Sequence, residues 1–296
     1  MTSVLFDAPG PRARRRILVG SIVAALFLVA VAAVVVQRLA DNGQFEGAKW
    51  GPLLNPSDES FGPLWRLLWG GMRATLAAAG WAMVFSLTLG TLMAVTRITA
   101  RPWYRWLVVS VIEVLRGVPV VMAIFFASRV LPEVGVDLSL RWYLVIGLTA
   151  YNSVVIGEII RAGVAALPRG QTEAAYAVGL TRWGALRLIL LPQAFRLMLP
   201  ALISQLVVIL KDTSLGAFIS YEELLRRGNL AVQNLRNPLQ LYLLIGALFI
   251  AVNYALGRLA VAVDRRVAGT YRRHRTREPH AGRARQGDDL MEHVEG

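Results

Sequence analysis

The chain of 296 residues contains no cysteine and only two lysines, Lys49 and Lys211. Without cysteine there is no disulfide framework and no thiolate chemistry. The three histidines, His274, His280 and His293, all lie in a polar stretch near the C-terminal end. A His/Cys metal site is therefore not expected, and nothing in the sequence calls for a cofactor. A phosphate-cradling GxxxxGK[ST] loop needs a lysine after glycine. Lys49 follows Ala48 and Lys211 follows Leu210, so the chain carries no ATP site of that kind. Charge is scarce as well. Only 17% of the residues are Asp, Glu, Lys or Arg, against about 25% in soluble domains, too few to cover a globular surface in water.

What the chain has instead is apolar length. Hydrophobic residues make up 55% of it, and the mean hydropathy is +0.50. These values predict an all-α, polytopic membrane protein. The 32 Lys and Arg outnumber the 19 Asp and Glu, giving a net charge of +13. In a soluble protein that excess points to nucleic acid; in a membrane protein it reports topology.

Residues Ile17 to Val36 form an uncharged run of span length behind Arg12, Arg14, Arg15 and Arg16. The run is too long for a signal-peptide core and ends in Gln37-Arg38 rather than a small-residue cleavage site, so it reads as an uncleaved span. Residues 38–62 are polar and read as an external loop. The apolar stretch from Phe61 to Thr96 is too long for one helix in a bilayer. A break near Gly70-Gly71 is expected, with an interfacial helix from Leu64 to Trp69 and a second span from Ala74 to Thr96. A third span is expected from Trp103 to Val130, a fourth from Leu140 to Ala162, a fifth from Ala194 to about Val208, and a sixth from Leu239 to Val263. Trp103, Trp106, Trp142 and Tyr143 suit interfacial belts. Residues 265–296 read as a disordered tail.

Alternating sides from an inside N-terminus puts 20 of the 32 Lys and Arg on the inner side and eight on the outer. Such a bias fits six spans with both ends in the cytoplasm. The bases follow membrane sides rather than a stripe on a folded face, so nucleic acid is not expected as a partner.

The segment 164–193 between spans four and five is too charged to span. It contains Gly170-Gln171-Thr172-Glu173-Ala174-Ala175, then Gly179, then Ile189-Leu190-Leu191-Pro192. A short helix is expected after Gly170, capped by Gln171 or Thr172, with Glu173 near the positive end of its dipole. Gly179 should end it in a tight bend, and a second helix, Arg182 to Leu191, should end at Pro192. Two small-faced helices joined by a glycine make a knob able to enter a groove on another protein.

The whole pattern, EAA-x3-G-x9-I-x-LP, resembles the coupling loop of permease subunits of bacterial ATP-binding-cassette importers. Further stretches resemble the polar amino acid permeases among them. These are Gly71-Met72-x-x-Thr75-Leu76, Ile112-Glu113-Val114-Leu115-Arg116-Gly117-Val118-Pro119, Gly157-Glu158-Ile159-Ile160-Arg161-Ala162-Gly163 and Lys211-Asp212-Thr213-Ser214-Leu215. The likeness covers about residues 71 to 264. It implies a permease domain over 63–264, preceded by an extra helix at 17–37 and a basic cytoplasmic segment at 1–16. Family members commonly have five spans and an external N-terminus, so the extra helix is a departure. A second is Tyr151-Asn152-Ser153-Val154 where the family often has Tyr-Thr-Ala-Glu. The implied partners are a cytoplasmic ATPase dimer, a second permease, identical or homologous, and an external solute-binding protein. Membrane lipid surrounds the spans, and the implied cargo is glutamate or aspartate, glutamine, or a basic amino acid. In this scheme Gly170, Gln171, Glu173, Ala174, Ala175, Gly179, Ile189, Leu191 and Pro192 receive the motion of the ATPases.

Ionisable or strongly polar residues inside spans are costly and mark candidate sites. Glu113 and Arg116 share a helix face and read as a salt bridge or as part of the substrate path. Gly117 and Pro119 beyond them should loosen the helix. Glu158 and Arg161 repeat the spacing near the inner end of span four, as an anchor for the coupling loop or a path element. Asn152 reads as a helix–helix hydrogen bond or a substrate contact. Lys211, Asp212, Thr213 and Ser214 sit at the outer mouth, as a local ion pair with a cap or as a gate. An ion-coupled secondary amino acid carrier is the alternative function; it would use Glu113 and Glu158 and often shows an internal repeat, which this sequence lacks. A membrane enzyme would want a cluster of His, Cys or acids.

Overall fold

The computed structural model describes residues 10–99 and 102–275, and these are helical apart from short turns, with no strand among them. The expected Arg101 turn and residues 276–296 of the expected tail lie outside the described residues. Helix α1 (Pro11–Asp41) is a 31-residue rod with no buried residue. A short helix α2 (Gly47–Leu54) then occupies what reads as a plain loop. Its Leu53 is buried, Trp65 donates from Nε1 to the Leu53 carbonyl at 3.2 Å, and Gln240 and Asn237 donate to the carbonyls of Gln44 and Lys49. These long-range bonds satisfy backbone groups that a loop would leave to water.

Helix α3 (Phe61–Thr99) is one unbroken helix of 39 residues, roughly 58 Å at 1.5 Å per residue. The break expected at Gly70-Gly71 does not occur. A Cβ on Gly71 would meet Leu224 Cα at 2.8 Å, so this glycine admits another helix backbone instead of ending its own. The overhang of α3 beyond bilayer thickness is buried in a second small core with Leu53, Leu64, Leu68, Met72, Leu224 and Leu241.

The expected third span is two helices, α4 (Pro102–Gly117) and α5 (Val120–Glu133), which meet at 98°. Pro119 has no N–H and disfavours helical dihedrals at Val118, so the expected loosening becomes a near right angle. Helix α6 (Leu140–Ala165) lies against α3. Near its start Trp142 meets Trp81 and Phe85, and near its end Glu158 binds Arg97. The two helices therefore run in the same direction, which requires α4 and α5 together to return the chain across. Counting that bent pair as one crossing, the described residues hold six helical segments long and apolar enough to cross a membrane.

Small side chains let α3 and α6 touch: Ala78, Ala79, Ala82 and Ala94 are buried, and a Cβ on Gly90 would meet the Ser153 carbonyl at 2.6 Å. Such close backbone approach is the usual basis of helix association in lipid. Tyr143 is not a belt residue. It is buried, and its hydroxyl donates to the Val136 carbonyl and accepts from the Leu138 N–H.

Helices α7 (Arg169–Ala177) and α8 (Arg182–Ala185) follow, then a π-helical turn (Leu186–Leu190), α9 (Leu191–Asp212) and a 3-10 helix (Thr213–Ile219). Helix α10 (Leu224–Leu235) docks on α3, and α11 (Pro238–Arg275) continues past the expected boundary at 264.

At the start of α10, Glu223 is fully buried while its carboxylate accepts from the Leu225 and Arg226 N–H groups at 2.8 and 2.7 Å. Loss of water outweighs both bonds and pushes its pKa up from 4.5 to about 7. A raised carboxyl pKa favours the folded state at low pH, and that contribution fades as pH rises from about 4.5 through about 7. The unfolding midpoint of the detergent-solubilised protein should therefore fall between pH 5 and pH 8, and Glu223→Gln should flatten the decline. Equal slopes in both proteins would show that Glu223 is not the group responsible.

Candidate functional site

Three places carry the candidate residues. The first is the segment joining α6 to α9. Helix α7 starts at Arg169 behind Pro168, two residues earlier than expected. Gln171 and Thr172 are therefore inside the helix and cap nothing, and Glu173 lies in the second turn, where the dipole is weak. Proline before the first helical residue sets this earlier start, because it cannot itself continue a helix from the preceding chain. Gly170, Gln171, Glu173 and Ala174 are exposed and Ala175 is buried. Gly179 has φ +84°, and the Leu180 N–H returns to the Ala175 carbonyl at 3.1 Å, a left-handed helix end that glycine permits without strain.

The cap the sequence reading missed is Thr181, whose Oγ1 accepts from the Gly184 N–H at 3.2 Å. Pro192 does not end the second helix. It is the second residue of α9, directly after the π-helical turn. Ile189 belongs to the π-helical turn and Leu191 opens α9, so α8 and α9 run on through one continuous helical path. Gln193 donates to Gln171 Oε1 at 3.2 Å and so ties α9 back to α7. Tyr176, Val178 and Trp183 are left exposed, an apolar crest on an otherwise polar knob.

The second place is the end of α6 nearest that knob. Glu158 binds Arg161 on its own helix and Arg97 on α3 at 2.8 Å, and the charge of Arg116 on α4 also bears on it. Arg97, 61 residues away in sequence, was not visible as a partner. The expected Glu113–Arg116 pair does not form: both are exposed, and among the described residues neither takes part in an ion pair. The bend after Gly117 ends α4 one residue beyond Arg116, which leaves that arginine facing the α6 cluster. Asn152 is fully buried. It donates to the Leu148 carbonyl at 2.8 Å and accepts from Gln205 Nε2 at 2.7 Å, joining α6 to α9.

The third place is the far end of α9. Lys211 is exposed and Asp212 half-buried, with no bridge of 4.0 Å or less between them. The expected local ion pair is therefore absent, because consecutive helical residues do not face each other. Thr213 is buried and donates to the Leu210 carbonyl at 2.6 Å, while Ser214 donates to the Lys211 carbonyl at 2.8 Å. A cavity of about 340 Å³ opens here. A larger one, about 600 Å³, lies between α3 and α6; it is walled mainly by Phe85, Leu89, Trp142, Val145 and Ile146, and no ionisable group lines it.

Residues 62–269 match the family described as binding-protein-dependent transport system inner membrane component. The chain belongs to this family. The glutamate transport system permease protein GluD of Corynebacterium glutamicum is 37% identical over 240 residues, 80% of this chain and 86% of that protein. The glutamate/glutamine/aspartate/asparagine transport system permease protein BztC of Rhodobacter capsulatus is 35% identical over 214 residues, 69% of this chain and 48% of the longer relative. A crystal structure of an amino acid ABC transporter with histidines superposes with a TM-score of 0.64 at 26% identity, covering 70% of this chain and 97% of that one. This permease is thus a multi-pass membrane component of a transport system, not an enzyme, and its class works with a separate ATPase and a solute-binding protein. The matched region begins after α1, and the ion-coupled carrier finds no support in these likenesses.

Proposed function

We propose that this permease moves a polar amino acid inward across the membrane by alternating access, driven by a separate ATPase dimer bound at the α7–α8 knob. The observation that carries this reading is the knob itself. It is a helix, a left-handed glycine and a second helix, braced by Gln171 and Gln193 and crested by Tyr176, Val178 and Trp183. The continuous path from α8 into α9 gives any push on the knob a rigid lever across the membrane. The bias of bases toward the side of the knob supports a cytoplasmic location for it and for both chain ends.

A second permease, identical or homologous, completes the pathway, and an external binding protein delivers the solute. The named relatives handle glutamate, aspartate and their amides, which supports an acidic or amide amino acid as cargo. Within the pathway, Glu158 with Arg97 and Arg161 braces the inner ends of α3 and α6 above the knob, and Asn152 holds α6 to α9. Lys211, Asp212, Thr213 and Ser214 stand at the outer end, and Glu113 faces outward from α4 toward the partner permease or lipid.

The test is uptake of labelled L-glutamate and L-glutamine into vesicles containing the permease, its ATPase and its binding protein. Accumulation should require ATP inside the ATPase-accessible compartment and should stop when the ATPase is left out. Accumulation driven by an ion gradient without ATP would sink the reading.

A further inference from the structure

The helical path from the knob into α9 changes its pitch at one place. Leu186–Leu190 form a π-helical turn, and the Leu191 N–H that closes it reaches back five residues to the Leu186 carbonyl. Pro192 accounts for this turn. In a regular α-helix its ring would press on the carbonyl four residues back, that of Leu188, and a widened turn relieves the clash. Pro192 also has no N–H, so one carbonyl, of Arg187 or Leu188 according to register, loses its backbone donor. A helix short of a rung bends more easily, and π turns recur at functional places. Pro200 removes another rung further along, but α9 stays α-helical around it. The π-turn is held from two sides. Leu186 and Leu190 are buried, as are Ala185 and Ala194 just outside the turn. On the polar side, Gln193 donates from Nε2 to the Ile189 carbonyl inside the turn at 3.1 Å and to Gln171 Oε1 on α7 at 3.2 Å. One side-chain amide thus joins the π-turn, the first turn of α9 and the knob.

We infer that Gln193 is a positioning residue for coupling: it stiffens the π-turn, so that a displaced knob moves α9 as one piece. The inference rests on the proposed drive from ATPases at the knob and names the residue that carries their motion past the joint. A side-chain NH2 has two N–H groups, enough for both acceptors at once. The bond to Ile189 adds a rung beside the one that Pro192 omits. The bond to Gln171 makes that added rung depend on where α7 stands. Without the two bonds, a push on α7 is spent in bending residues 186–190, and less of it reaches the rest of α9. Further along α9, Gln205 donates to Asn152 Oδ1, so a stiff joint also passes the movement on to α6.

The test uses the assembled transporter in vesicles, permeases with ATPase and binding protein, with uptake of labelled L-glutamate and L-glutamine and ATP hydrolysis measured together. Gln193→Met should keep hydrolysis and lower solute moved per ATP about fivefold to tenfold, the worth of one or two hydrogen bonds. Gln193→Glu should do the same, because a carboxylate accepts but cannot donate. The Pro192→Ala background, where the missing N–H returns, separates stiffening from other roles. There Gln193→Met should lower coupling by about twofold or less, since the two changes act on one joint. In a Pro200→Ala background, which restores a rung elsewhere, the full loss should remain. Gln171→Met, at an exposed position, removes only the tie to α7 and should lower coupling too. If Gln193→Met fails to fold, normal coupling in Gln171→Met would still count against the inference. Equal losses with and without Pro192→Ala would overturn the stiffening role, because a contact with the ATPase or plain packing does not depend on that rung. Normal coupling in both Gln193 variants, with Gly179→Val uncoupled, would overturn the inference and leave the knob reading intact. Wild-type uptake indifferent to ATP would overturn both.

Discussion

Gly179→Val should leave the protein inserted and folded yet cut solute moved per ATP hydrolysed by about tenfold or more. The residue sits at φ +84°, a region closed to β-branched side chains; even one ordinary residue there costs about 1–2 kcal/mol. Nothing lies within 4 Å of a Cβ at this position, so the strain is not a packing clash and global stability should hardly change. The turn would instead relax into another conformation and carry Tyr176, Val178 and Trp183 out of their present arrangement. Uptake and ATP hydrolysis measured in the same vesicles check this. Hydrolysis should persist while uptake falls; normal values for both would remove the knob from the coupling mechanism.

Gly147→Leu and Gly90→Leu should have the opposite profile, with loss of the fold rather than loss of coupling. A Cβ on Gly147 would lie 2.6 Å from Ile124 Cα, and one on Gly90 would lie 2.6 Å from the Ser153 carbonyl. Both contacts are with backbone, which cannot rotate aside as a side chain can. Separating α3 from α6, or α5 from α6, should cost about 1–3 kcal/mol at least, since the clash is with backbone. Gly80→Leu is the control, because a Cβ there meets nothing within 4 Å. Monodispersity after detergent extraction, with the unfolding midpoint, should separate the two classes: Gly80→Leu near wild type, the others aggregated or sharply destabilised. Indistinguishable behaviour of all three would contradict the tight α3–α6 seam.

These glycines also show where the sequence was legible. Hydropathy alone placed six spans, the third without its bend, because lipid imposes a length and an apolar character on every exposed helix. The coupling segment was legible from spacing, since its Gly179 bend depends only on local backbone preference. Gly71 was misread as a break because its meaning depends on Leu224, a partner 153 residues later. The pairing of Arg97 with Glu158 was hidden for the same reason. The 98° bend was visible as Gly117 and Pro119 but not in size, which is set by how α4 and α5 pack against α6. Glu223 gave no sign at all; a glutamate in a polar stretch looks solvated until α10 is laid on α3.

Helix α1 has a different kind of independence. None of its residues is buried, so it shares no core with the other described helices and its exposed apolar run suits lipid. Membrane helices first insert and then associate, and α1 completes its part at the first stage. It precedes the other five crossings in the chain and carries four arginines before its apolar run. It can therefore commit to an orientation during synthesis, before α3 has emerged, and every later helix must alternate from that choice. The broken pair α4–α5 would gain most from this order of events. Its two halves are short and meet at nearly a right angle, and α4 carries both Glu113 and Arg116, so a side already fixed by α1 spares them from having to decide their own direction across the membrane.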